Sequence, residues 1–501
     1  MCFYEPFAGH FMTLDQFATR QKGYHTALRR ASSVGFLQSV SGISVMTNVG
    51  KRSPYFRSSY SPECLVRRRS EVCKRLGTGQ LVLLAGNTSS GAFDYFRQFN
   101  DFYYMTGIEV PHAYLMLDTT SCTSTLYLPC LDAKMERSEG AMLSVEDEEV
   151  VKQLTGVTHV KARDSLREDL QSHGTAAVST LYSEGAQVCQ DVVRHQIHSY
   201  ADDPLREFAS TAQMLEKVVT QWGIEVVTSS SVADVLTSMR SIKDEEEQNW
   251  MRIAGDLTAE AVIQAMCSTK VGISESDLAA VASLVFSVNG ALGPGYRAIV
   301  AAGENIWNAH YFRNNKTLLA GEHVLMDFAP DVHYYTSDIG RLWPVNGKYD
   351  DLHRELYGYI VEYHKVLKRH IKPGLMPELV MENAAEEMKA VIDRWYWSDE
   401  SFKDGAIATL SFKGHLSHMV GMAVHDFGEY HDGPLQPGCV FALDPQMWIP
   451  SHRLYIRVED TVCVTEDGIE TFTERCPLEL DDVEEMMTSS GVLEHCPKLE
   501  Y

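Results

Sequence analysis

Short apolar runs rich in β-branched and aromatic residues punctuate the first half of the chain, separated by turn-forming segments. Those at residues 81–85, 113–117 and 125–128 predict strands. Polar, helix-prone stretches follow at 145–154 and 205–221, and 224–228 predicts one more strand. Beyond residue 235 the period changes. A charged segment, 241–247, opens an amphipathic helical pattern that continues to Cys267. Further helical patterns at 277–286, 352–368 and 377–394 are interleaved with strand-like runs at 324–328, 440–443, 454–459 and 461–465. This predicts an α/β region over 65–235, then an α+β region over 236–490 with antiparallel strands packed on helices. Residues 1–64 read as an irregular leader and 491–501 as a tail. The acids Asp481, Asp482, Glu484 and Glu485 fall on a terminal helix whose charged face is expected in solvent.

Composition narrows the class. The 501 residues suit two or three domains at roughly 150 residues each, and 45% apolar with 22% charged residues is ordinary for a chain with a full core. Lys plus Arg number 44 and Asp plus Glu 68, a net −24 that disfavours nucleic acid or an anionic membrane as partner. The imbalance is uneven. Residues 1–80 hold twelve basic and four acidic residues, a local +8, so the remaining 421 carry −32. Eleven cysteines without a C-x-x-C pair suit a reducing compartment. The N-terminus lacks the basic-then-apolar layout of a secretory signal. A cytoplasmic protein is expected. The Arg- and Ser-rich, acid-free stretch 16–60 keeps a mitochondrial presequence as the alternative.

Four places in the second region set a metal-capable side chain beside a strand or turn. They are Asp327 in VLMDF, Asp338 eleven residues later in YYTSDIGR, the turn GHLSHMVGMAVHDFG with His415, His418 and His425, and the pair FALDP and LYIRVED with Asp444 and Glu459. A carboxylate buried among apolar strand residues costs several kcal/mol unless a cation or donors compensate. An eleven-residue interval lets Asp327 and Asp338 meet across antiparallel strands, and Asp444 and Glu459 have the same opportunity. Four carboxylates and one imidazole exceed a lone structural zinc. They match two divalent cations about 3.5–4 Å apart. Oxygen-rich ligation favours Mn²⁺, with Co²⁺ and Zn²⁺ tolerated.

These residues carry a resemblance to the pita-bread metallopeptidases, in the branch of Xaa-Pro aminopeptidase (aminopeptidase P) and prolidase. MDFAPDVHYYTSDIGRLWPVNGKYD resembles the stretch holding that family's first two metal aspartates, and the histidine turn and closing acidic strands follow in family order. RSIKDEEEQNWMRIA resembles its first catalytic-domain helix, and FRQFNDFYYMTGIEVPHAYLML the amino-terminal, creatinase-like domain of aminopeptidase P. The resemblance implies that Asp327, Asp338, His418, Asp444 and Glu459 are metal ligands, with Asp338 and Glu459 bridging. It implies that His310 lines the substrate pocket, that His425 contacts the substrate carbonyl, and that Arg457 stands beside the bridging Glu459. Three departures stand out. Asp444 replaces a glutamate and Gln446 a glycine in a Glu-Pro-Gly turn, a pocket histidine is lost or displaced by one residue to His415, and Gly340 replaces a threonine.

The implied activity is hydrolysis of the N-terminal Xaa-Pro bond of short peptides by a dinuclear enzyme, as a homodimer. A dipeptidase or carboxypeptidase of the same fold is the nearest alternative. A catalytically silent scaffold and a hydrolase of non-peptide C–N bonds are more distant ones.

Overall fold

Ser61 begins the first helix: its hydroxyl accepts from the amide of Cys64, and Pro62 occupies a position where no amide is needed. The computed structural model describes residues 58–496 other than 90, 94, 174–177, 181–202, 206–210, 229 and 429–432. Most of the basic leader, part of the helix expected over 205–221 and the end of the tail therefore lie outside the described residues. The first region comprises α1 (Pro62–Leu76), β1 (Leu81–Ala85), α2 (Asn100–Thr106), β2 (Tyr114–Asp118), β3 (Thr123–Leu128) and α3 (Ala133–Glu139). It continues with α4 (Glu148–Thr155), β4 (His159–Ala162), α5 (Leu166–Ser172), β5 (Val178–Thr180), α6 (Thr211–Gln221) and β6 (Val226–Thr228). The sheet order is β4-β3-β2-β1-β5-β6, antiparallel at its centre and parallel on both flanks.

Helix α7 (Ser230–Ser241) runs through residue 235, so the boundary expected there falls inside a helix. The chain then turns, and Asp244 caps α8 (Glu245–Ser268) in a reciprocal capping box with Glu247. The second region adds α9 (Glu275–Val288), β7 (Gly293–Pro294), β8 (Ile299–Ala302), β9 (His323–Asp327), β10 (Pro330–Asp331), β11 (Ile339–Pro344), α10 (Asp351–His370) and α11 (Pro377–Arg394). After these come α12 (Glu400–Thr409), β12 (Leu416–Met419), β13 (Val440–Leu443), β14 (Gln446–Ile449), β15 (Leu454–Arg457), β16 (Glu459–Val464), β17 (Ile469–Thr471) and α13 (Leu480–Met486). Its main sheet is antiparallel, in the order β12-β13-β16-β11-β9-β8 with β17 on β16. The class is α+β, as expected.

Two expectations need correction. The strand read over 454–459 is broken: β15 pairs with β14 in a separate ribbon, and β16 enters the main sheet only at Glu459. Val458 makes the break, its amide donating to the carbonyl of Pro445 (3.2 Å). Glu484 is not on a solvated face. It is 5% exposed and accepts from Lys348, Arg354 and the amide of Tyr349.

Both regions belong to one compact unit, Tyr55–Tyr501, and share a core. His333 and Tyr334 adopt left-handed backbone (φ 52° and 74°), an uncommon conformation for residues with side chains. The turn directs Tyr334 and Tyr335 into the first region, where Tyr334 stacks on Tyr103 (3.6 Å between ring centroids). Arg68 of α1 lies between the rings of Tyr60 and Tyr104 and pairs with Asp244 and the buried Glu247 of α8 (3.1 and 3.3 Å). Removing it would take the guanidinium from the buried Glu247, leaving it the Tyr335 hydroxyl and the Asp244 amide as neutral donors. Arg68→Met is expected to lower unfolding free energy by about 3–5 kcal/mol, measured by urea unfolding of the full chain. A loss below ~1 kcal/mol would show that the pair does not join the regions.

Candidate metal centre

Strand register brings the acids together. Arg341 of β11 faces Met326 of β9, so the next step sets Gly340 against Asp327, with Asp338 just beyond. Leu443 of β13 faces Asp460 of β16, and the next step sets Asp444 against Glu459. All four carboxylates are buried: Asp327 and Asp444 are 4% exposed, Asp338 1% and Glu459 0%. His418, on β12, places Nε2 3.3 Å from Asp338 Oδ2. Donor atoms of Asp338, His418 and Glu459 lie within 4.8 Å of one another. Glu459 Oε1 is buried without a hydrogen-bond partner among the described residues.

Arg457 holds the other side. Its guanidinium donates to Asp327 (3.0 Å), to Asp444 (3.0 Å) and to Glu459. Gly340 makes room for it: a Cβ there would stand 3.0 Å from the Glu459 Cβ and 3.3 Å from Arg457 Nε. Gln446 lies directly across from Arg457 in the β14–β15 ribbon. It donates to Asp444 Oδ2 (2.9 Å) and accepts from the Trp448 indole (3.0 Å). Trp448 stacks on Tyr455 and meets Trp307 edge-on, forming an aromatic wall beside the acids. Tyr311 is not part of that wall. It is buried, and its hydroxyl donates to Glu275.

The histidines divide into two groups. His425 lies with its ring centroid 3.9 Å from His418 and 6.1 Å from exposed His310, so these three share one side of the acids. Its loop is fastened from the first region. Arg240 bridges Asp101 (2.8 Å) and Asp426, while Arg97 and Asn100 donate to the carbonyl of Met422. His415 points elsewhere. It is fully buried beside Tyr363 and Phe412, bonds the Thr409 carbonyl (2.8 Å), and is pushed down to about 4 by burial.

Sequence reasoning missed Tyr296, whose hydroxyl donates to Asp327 (2.6 Å) and reaches Asp338 (3.1 Å). Its only signal is the preceding Gly-Pro-Gly turn. A Cβ on Gly295 would collide with Thr336 and stand 2.9 Å from the Pro330 carbonyl, so the backbone must be bare there for the tyrosine to reach the acids.

Comparison with known proteins agrees with this arrangement. Residues 65–182 match the aminopeptidase P N-terminal domain, and residues 249–466 match metallopeptidase family M24. Xaa-Pro aminopeptidase 3 of Mus musculus is 30% identical over 449 residues, covering 83% of this chain and 82% of the relative. The chain belongs to metallopeptidase family M24. The Xaa-Pro aminopeptidase of Escherichia coli K12 is 27% identical, over 86% of this chain and 99% of the relative. The zinc-substituted E. coli aminopeptidase P in complex with product superposes with a TM-score of 0.69 at 25% identity, covering 86% of this chain and 98% of that one.

The M24 centre's donors suit divalent cations. Fully ionised, four buried carboxylates against one guanidinium leave −3 before His418 is counted, and Glu459 Oε1 has no hydrogen-bond partner among the described residues. Burial, then the charge of Asp338, raises Asp327 to about 7, and burial raises Asp444 to about 6 against the pull of Arg457. Burial also acts to raise Asp338, but the His418 hydrogen bond and neighbouring positive charges outweigh it and hold the group at about 2. A cation must therefore displace protons from Asp327 and Asp444 at pH 6 and fewer at pH 8. Mn²⁺ affinity is expected to rise between pH 5 and 8, with about one to two protons released from Asp327 and Asp444 together as the centre fills at pH 6. Any proton on His418 adds to these, since burial acts to lower that group but the Asp338 hydrogen bond outweighs it and raises its pKa. Calorimetry in buffers of differing ionisation heat counts them, and proton-independent binding would refute the assignment.

Proposed function

We propose that this chain is a dinuclear metal-dependent exopeptidase that releases the N-terminal residue from peptides with proline second. The observation that carries the reading is the convergence of Asp327, Asp338, His418, Asp444 and Glu459, with His425 and His310 on one side, in an M24 chain related to Xaa-Pro aminopeptidases along most of its length. Two Mn²⁺ ions are proposed, which Asp327, Asp338, His418, Asp444 and Glu459 would hold. When bound, such a pair supplies Lewis acidity and a water of lowered pKa.

The chain's own residues supply the rest. His425 would donate to the carbonyl oxygen as charge develops there, a contact typically worth a few kcal/mol in an enclosed site. Glu459 is the candidate proton acceptor, fixed on one oxygen by Arg457. His310 would orient the residue after the cleaved bond. A bond before proline has no N–H, so recognition rests on packing of the ring. The wall of Trp307 and Trp448 offers an apolar face for it. Tyr296 and Arg457 hold the carboxylates in place, and neither needs to touch substrate.

A peptide library digested by the Mn²⁺-loaded protein and read by mass tests terminus, bond and proline together. Loss of one N-terminal residue from Xaa-Pro peptides is expected, abolished by N-acetylation and by Asp338→Asn. Cleavage of N-blocked peptides at the other end would favour a carboxypeptidase of the same fold. We further propose a homodimer. Sedimentation at micromolar concentration should give twice the 56.2 kDa chain mass, and a single-chain mass would dismiss it.

A further inference from the structure

A second group of metal-capable side chains lies at the opposite end of β9 from Asp327. His323 opens that strand, Asp350 is the N-cap of α10, and His353 lies in the helix's first turn. The two imidazoles stack with centroids 3.3 Å apart and planes 16° from parallel. Asp350 Oδ1 accepts from both the amide and Nδ1 of His353 (2.7 and 2.8 Å), which leaves Oδ2 to meet another partner. One donor atom from each of the three residues lies within 4.8 Å of the others.

Helix capping accounts for Asp350, but not for the histidines. His323 is 4% exposed, and its Nε2 is buried with no hydrogen-bond partner among the described residues. Folded proteins rarely leave a buried ring nitrogen so. Burial and the neighbouring His353 hold the His323 ring down to about 3, so it is neutral and able to ligate. The Asp350 side chain is 50% exposed and gives an ion a way in from solvent.

We propose that His323, Asp350 and His353 form a second cation site that takes one divalent transition ion of the zinc, nickel or cobalt class. Two imidazoles and one carboxylate are the donors such ions prefer, whereas Mn²⁺ favours the oxygen-rich centre. Each of the three side chains would offer one donor atom to the ion. The ion then ties the start of β9 to the start of α10.

Full-length protein is dialysed to equilibrium against buffered Zn²⁺ and its bound metal counted by mass spectrometry, beside His353→Ala and Asp350→Asn. Asparagine still caps a helix, so Asp350→Asn carries the test if His353→Ala does not fold. The wild type is expected to bind one more equivalent of Zn²⁺ than His353→Ala. Asp350→Asn should hold that equivalent at least about tenfold more weakly, and Zn²⁺ should raise the Tm of the wild type more than that of either variant. With Mn²⁺ the three should agree. The readout is a difference between chains with the same Asp338 centre, so it does not depend on how many ions that centre takes or on what it cleaves. Equal Zn²⁺ content in all three would overturn the proposal, and so would an equal difference with Mn²⁺.

Discussion

Four carboxylates enclosed at the junction of two strand pairs repel one another strongly, because little water reaches them to screen the charge. Much of the second region can be read as the means of tolerating that repulsion. Arg457 answers three of the four from one guanidinium. It ends β15 two residues before Glu459 begins β16, so both side chains face the acids while the chain changes partner strand at Val458. Tyr296 adds a neutral donor shared by Asp327 and Asp338.

Support continues outward. Arg341 donates to the Glu459 carbonyl (2.7 Å) and to Asp460 (2.7 Å), fixing the strand that carries Glu459. Thr461 exchanges hydrogen bonds with the backbone of Asp338. The histidine side is held differently, by charges from the first region. Asp101, Arg240 and Asp426 form a chain from α2 to the loop of His425, and breaking a buried pair of this kind is costly. The first region thus shapes the catalytic side as well as flanking it.

Much of this was legible in the sequence, for physical reasons. Charged residues inside otherwise apolar runs demand compensation, so Asp327, Asp338, Asp444 and Glu459 stood out, and antiparallel pairing followed from the eleven-residue interval. β14 was not legible. Four residues after a proline leave too little pattern to distinguish a strand from a turn. Tyr296 was hidden because its role depends on a bare backbone at Gly295, not on its own neighbours. His415 shows the reverse failure: it stood in a chemically suggestive motif yet packs among aromatic rings. Glu484 likewise looked like one member of a solvated charge run, and only the tertiary approach of Lys348 and Arg354 makes it a buried partner.

The departures that the resemblance implies look separate along the sequence, at residues 340, 444 and 446. In space they form one contact. Gly340 leaves the volume that Arg457 uses, Arg457 grips the shortened Asp444, and Gln446 closes the other oxygen of that same carboxylate. Residues in such direct contact do not contribute additively. Exchanging any one of them alone would therefore disturb how Arg457 and Asp444 meet the other two.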